Sequence, residues 1–129
     1  GFTNCPEVCP TTLSTLINFI KKSNTNNSNY KIIFVTLDPS RDTQKSLARY
    51  IEIFDDKIIG LTGEISEINK FAKKWNVYWE RVDNGKDDYT INHTATVFML
   101  NRKGDFAGTI AWGENENSIK FKLDKLFSS

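Results

Sequence analysis

Tyr30-Lys31-Ile32-Ile33-Phe34-Val35-Thr36-Leu37 runs directly into Asp38-Pro39-Ser40-Arg41-Asp42-Thr43. The first stretch is dense in β-branched and aromatic residues and is bounded by turn formers. Such a run predicts a strand buried on both faces, of the parallel kind. The second stretch predicts a turn that enters a helix over 43–54, with Asp42 as its N-cap. A buried strand followed at once by a helix is the unit from which α/β folds are built.

The pattern repeats outward in both directions. In the 43–54 helix, Leu47, Tyr50, Ile51 and Phe54 fall on one stripe. Ile58 and Ile59 lead into Gly60-Leu61-Thr62-Gly63, a short strand and turn. A third helix is predicted over 64–75, with Ile65, Ile68, Phe71 and Ala72 on one face. Residues 77–82 have strand character, and 83–88 form a hairpin tip or loop. A strand over 95–100 turns through 102–105 into 106–112, making a hairpin. A closing helix over 114–127 points Ile119, Leu123 and Leu126 inward. On the other side, residues 23–29 are polar, Asn-rich and turn-like. Before them, Leu13, Leu16, Ile17 and Ile20 have helical spacing, and Lys21 and Lys22 suit a helix C-terminus. The predicted order is α-β-α-β-α-β-β-β-α, a central mixed sheet flanked by helices. No internal repeat and no second domain is visible, and 129 residues fit one domain over 1–129 with a core that needs no staples.

Charge excludes some functions. Seventeen basic residues against sixteen acidic give a net charge of +1, which makes no electrostatic case for nucleic acid or an anionic membrane surface. No apolar run reaches the length of a membrane span and no signal-peptide pattern is expected within these residues, which open directly on the cysteine motif and leave room for an anchor or targeting segment upstream.

The chemistry concentrates elsewhere. Cys5 and Cys9 stand in Gly1-Phe2-Thr3-Asn4-Cys5-Pro6-Glu7-Val8-Cys9-Pro10, and the single histidine, His93, stands in Tyr89-Thr90-Ile91-Asn92-His93-Thr94-Ala95. Two thiolates and an imidazole are soft and borderline donors of the kind that favour Cu(I) or Zn(II) over Mg or Ca. Residues four apart on a helical turn have Cβ atoms about 5–6 Å apart. That spacing permits a disulfide or two sulfurs on one metal at about 2.3 Å each. A disulfide closing so short a loop would constrain the unfolded chain little, which argues for a chemical role over a stapling one. Pro10 fits the first turn of a helix, whose dipole is expected to lower a thiol pKa. The bland alternative is a structural pair of cysteines. His93, expected just before the 95–100 strand, has a bland alternative too, as a packed or surface residue. As a ligand its second ring nitrogen needs a partner, for which Asp87, Asp88 and a backbone carbonyl are the candidates.

The remaining motifs read as structure. Arg41 and Asp42 suit a turn and helix cap, with Arg41 pairing locally. Trp75, Trp79, Trp112 and Tyr78 read as core and sheet packing, with a partner surface as the alternative if they cluster exposed. Lys70, Lys73 and Lys74 read as a solvated helix face.

Four blocks together resemble the Sco/SenC family of copper-binding, thioredoxin-like proteins. Residues 1–10 resemble its GFTxCPxxCP block and residues 38–43 its DPxRDT block. Residues 54–63 resemble the segment ending in GLTG, and residues 88–94 the segment that carries a ligand histidine. The blocks occur in order over nearly the whole chain. The resemblance implies a thioredoxin-like fold with Cys5, Cys9 and His93 as copper ligands. It implies copper delivery to the dinuclear copper site of cytochrome c oxidase, or reduction of that site's cysteines. The implied partners are the copper-bearing subunit of the oxidase or another copper chaperone. The implied location is the periplasmic side of the bacterial inner membrane, or the mitochondrial inner membrane facing the intermembrane space, with a membrane tether upstream. Family members carry further strands before the cysteine motif, so the resemblance also implies an N-terminally truncated sheet with apolar edges, or one filled by an outside strand. A copper-binding module that is not an enzyme is the first expectation. A thiol–disulfide oxidoreductase, with Cys5 attacking and Cys9 resolving, is the second, and a peroxidase using Cys5 is a weaker third.

Overall fold

The structure, a computed structural model, describes residues 1–5, 8–22, 30–55, 57–85 and 87–128. The turn expected at 23–29 lies outside the described residues, as do Pro6, Glu7 and Lys86. Ten elements follow in order: α1 (Val8–Lys22), β1 (Ile32–Val35), α2 (Gln44–Glu52), β2 (Ile58–Leu61), α3 (Ile65–Lys74), β3 (Trp79–Asp83), β4 (Tyr89–His93), β5 (Thr96–Leu100), β6 (Phe106–Ala111) and α4 (Glu116–Ser128). The expected order holds with one addition. The segment before β5 is itself a strand, so β3 and β4 form a hairpin, and His93 ends that strand as well as preceding β5.

Among the described residues the strands pair two by two. β1 and β2 run parallel, with Phe34 opposite Gly60. β3 pairs antiparallel with β4, and β5 antiparallel with β6. A Cβ on Gly60 would lie 2.8 Å from Leu47 Cγ, so only glycine lets β2 approach α2 this closely. Beyond the strand itself, Thr36 N donates to Leu61 O at 3.0 Å while Leu37 N donates to Gly1 O at 2.8 Å. Successive amides of a strand point to opposite neighbours. Gly1 therefore runs along the edge of β1 away from β2, and residues 1–5 arrive where β1 gives way to the 38–43 turn.

Three apolar clusters hold these parts together. The first packs Phe2, Cys5, Cys9, Leu13 and Ile17 against Phe34, Leu47, Ile51, Ile58 and Ile91. The second joins Leu16 to Met99, Ile110, Ile119 and Leu123. The third is small: Leu37, Ile68 and Ala72. The inward stripes predicted for α1, α2 and α4 are all present in these clusters.

Three expectations need correction. β1 is not buried on both faces: Ile32 and Phe34 face the first cluster, Val35 packs on the third, and Ile33 on the same face as Val35 is 53 % exposed. Alternation of side chains sends it to the face that α3 only partly covers. On α3, Ile68 and Ala72 are buried but Ile65 and Phe71 are exposed, because the third cluster is too small to cover a wider stripe. Asp42 does not cap α2. Thr43 does, in a reciprocal pairing with Ser46: Ser46 N donates to Thr43 Oγ1 at 3.2 Å and Thr43 N donates to Ser46 Oγ at 3.0 Å. Of the tryptophans, Trp75 packs on Phe98 at 5.2 Å between ring centroids and Trp79 flanks two clusters, whereas Trp112 and Tyr78 are exposed. Lys70, Lys73 and Lys74 are exposed, as expected.

Candidate metal centre

Cys5 lies just before α1 and Cys9 in its first turn, both buried. Cys9 N donates to Cys5 Sγ at 3.4 Å, so the helix start itself folds one sulfur back over the other. Gly1 lines the same spot: a Cβ there would stand 2.7 Å from Cys9 Sγ. His93 reaches the pair from the end of β4, and its Nε2 is 3.7 Å from Cys9 Sγ. One donor atom from each of the three residues falls within 4.8 Å of the others. Two donors about 2.0–2.3 Å from a shared ion stand close to 3.7 Å apart at a trigonal angle. The donor set is soft, and its spacing suits one soft or borderline ion.

Protonation is set by burial and by one hydrogen bond. His93 Nδ1 lies 2.9 Å from the carbonyl oxygen of Thr94. A carbonyl only accepts, so Nδ1 carries the proton and Nε2 offers its lone pair toward the cysteines. Of the three expected candidates, the backbone carbonyl holds the ring. Burial also lowers the imidazole pKa, which keeps the ring neutral. Phe2 meets the imidazole edge-on at 5.8 Å, and Trp79 is the cross-strand neighbour of His93. At Cys9 the expected lowering by the helix dipole does not prevail: burial pushes the thiol up to about 11. An ion entering the site must therefore displace a thiol proton, which ties uptake to proton release.

The polar residues that hold this geometry lie in the 38–42 turn. Asp42 is completely buried. It accepts from Thr3 N at 3.0 Å, from Thr3 Oγ1, and from Thr36 Oγ1 at 2.6 Å. Thr62 Oγ1 donates to its backbone oxygen at 3.0 Å. The cysteine loop, the end of β1 and the end of β2 thus meet on one residue. Asp38, also buried, accepts from Tyr89 Oη at 2.6 Å and pairs with Arg41 Nε. Arg41 pairs locally, as expected, and also reaches β4: Nη1 donates to Tyr89 O at 3.0 Å, and the guanidinium lies 3.7 Å above the Tyr89 ring. Thr3, Thr36, Asp38 and Tyr89 escaped the sequence reading. Tyr89 stands four residues before His93 and shares its face of β4, a relation visible only once pairing with β3 makes these residues a strand. No sequence signal marked Thr3 or Thr36.

Comparison with known proteins gives the family and the fold. The family model described as SCO1/SenC matches residues 1–128. The Schizosaccharomyces pombe protein sco1 is 36% identical over 124 residues, 92% of this chain and 46% of that protein. The human mitochondrial SCO1 homolog is 34% identical over 122 residues, 92% of this chain and 40% of that protein. The chain spans about half the length of such relatives, 53% in the SCO2-like protein of Rickettsia prowazekii. Among solved structures, Arabidopsis thaliana ScoI with copper bound superposes with a TM-score of 0.90 at 29% identity, covering 99% of this chain and 80% of that one. Yeast Sco1 with copper bound gives 0.86 at 30% identity, covering 100% of this chain and 73% of that one. The fold is the thioredoxin-like fold of those Sco structures, and the chain belongs to the SCO1/SenC family.

Proposed function

We propose that this chain holds copper between Cys5, Cys9 and His93 and passes it toward the dinuclear copper site of cytochrome c oxidase. The observation that carries the reading is the convergence of two sulfurs and one imidazole nitrogen within 4.8 Å. Two thiolates with one imidazole suit Cu(I), and a neutral Nε2 is already presented to the pair. The copper-bound Arabidopsis and yeast relatives support the choice of metal. Copper is cargo here, so the site has to release it. Exchange for the thiolates of a recipient does so, and each returning proton restores the buried thiols. The copper-bearing subunit of the oxidase, or another copper chaperone, is the partner this reading calls for.

The placement we propose is the outer face of a bacterial inner membrane, or the intermembrane-space face of the mitochondrial one, with a tether upstream of Gly1. The human relative is named as mitochondrial, which supports the second of these placements as to organelle. No helix among the described residues is long and apolar enough to cross a membrane.

Thiol–disulfide exchange by Cys5 and Cys9 ranks second. The sulfurs are adjacent and free, but a Cys9 thiol pushed up to about 11 is a poor resolving nucleophile at neutral pH. The test is a Cu(I) titration of the fully reduced chain against a competing chelator. One tightly held copper is expected, lost in Cys5→Ser, Cys9→Ser and His93→Ala, with circular dichroism unchanged. Parent-like copper affinity in His93→Ala would sink the three-donor reading. Undiminished disulfide reduction by that variant would favour exchange.

A further inference from the structure

His93 and Cys9 are 84 residues apart in the chain, and what fixes the separation of the imidazole from the cysteine pair lies in neither segment. Asp42 anchors the cysteine loop through Thr3. Asp38 and Arg41, four residues and one residue earlier in the same turn, grip Tyr89 on β4. The grip is complete. The Tyr89 hydroxyl donates to Asp38, its carbonyl accepts from Arg41, and its ring lies against the Arg41 guanidinium at 3.7 Å and the Arg81 guanidinium at 3.9 Å. Tyr89, Ile91 and His93 share one face of β4, and Ile91 between them is buried in the first cluster. A strand fixed at Tyr89 and again at Ile91 has little freedom left at His93.

We propose that Tyr89 is a positioning residue for His93, and that the Asp38–Arg41–Tyr89 latch sets the distance of the imidazole from the cysteines. This rests on the copper reading above and deepens it. The Tyr89 hydroxyl does not touch the imidazole and acts on it only through β4, so the effect expected is about tenfold, the low end of what loss of a group bonded directly to a ligand costs. The support works only through the imidazole, so its effect must vanish when the imidazole is absent.

The experiment is a Cu(I) titration against a competing chelator for the parent, Tyr89→Phe, His93→Ala and the double variant. Tyr89→Phe is expected to bind about tenfold more weakly than the parent. The double variant is expected to match His93→Ala. Arg41→Lys removes the donor to the Tyr89 carbonyl and keeps the charge. It is expected to repeat the pattern, and it serves if Tyr89→Phe does not fold. Equal affinity of parent and Tyr89→Phe would overturn the latch alone. So would a loss that persists undiminished in the His93→Ala background, because that signifies general loosening. A parent that holds no copper overturns the copper reading and the latch with it.

Discussion

The two sides of this molecule are buried by different means. Around Asp42, residues from the cysteine loop, the end of β1 and the start of β4 are joined by hydrogen bonds to two buried carboxylates, and the end of β2 by one to the Asp42 backbone oxygen. Around Leu123, α1, α4, β5 and β6 are joined by aliphatic and thioether side chains. Its polar additions lie at the rim, where Lys122 Nζ donates to Glu114 Oε1 at 2.8 Å and to Thr109 O at 2.7 Å. Apolar contacts are non-directional and relax around a change. Hydrogen bonds to a buried carboxylate are directional and leave unmet donors when the acceptor goes. The donor set sits on the directional side. A site that must hold three atoms at a fixed separation is built where geometry is enforced, and the rest of the fold supplies bulk stability.

Four substitutions test that contrast. Asp42→Ala is expected to have the largest effect, about 4 kcal/mol of lost stability, because three donors from Thr3 and Thr36 lose their acceptor. Urea unfolding measures the loss, and copper affinity should fall with it even in the fraction that stays folded. Leu123→Ala is expected to cost about 3 kcal/mol through the cavity it leaves. Copper affinity of that variant, measured well below its melting temperature, should match the parent. A loss of affinity there would break the division between the two sides. Tyr50→Phe is expected to stabilise slightly, since the Tyr50 hydroxyl is buried without a hydrogen-bond partner among the described residues. Burial pushes that phenol from 10.0 up to about 12. A raised pKa means the folded state resists ionisation that the unfolded chain accepts, so stability is lost as pH rises from 10.0 toward about 12. Thermal melts across that window should fall less steeply for Tyr50→Phe than for the parent. Phe106→Ser, at a residue 62% exposed on the β5–β6 side, is expected to change stability by less than about 0.5 kcal/mol. A larger loss in calorimetry would mean this face is covered in solution.

What was legible in the sequence follows the same line. The inward faces of α1, α2 and α4 could be read because helical periodicity reports directly on apolar burial. Cys5, Cys9 and His93 could be read because they are chemically distinct and few. The turn at 38–42 could be read, but its polar network could not. An aspartate before a helix is ordinarily a cap, and local spacing says nothing of a threonine 39 residues upstream that claims it instead. Arg41 was read as pairing locally, and it does so with Asp38, but its bond to Tyr89 spans 48 residues. The strand status of His93 was missed for a related reason. Residues 89–93 are too polar to announce a strand, and pairing with β3 makes them one. Polar networks are closed by tertiary contact, and single-sequence patterns carry little trace of them.

The imidazole of His93 is anchored to the carbonyl of the residue that follows it. Every amino acid carries that oxygen. The tautomer is thus a property of the chain's path, inherited whatever side chain evolution places at position 94. Drift can erode the latch, the aromatic neighbours or the surface without touching it. The only way to lose this anchor is to bend the backbone between β4 and β5.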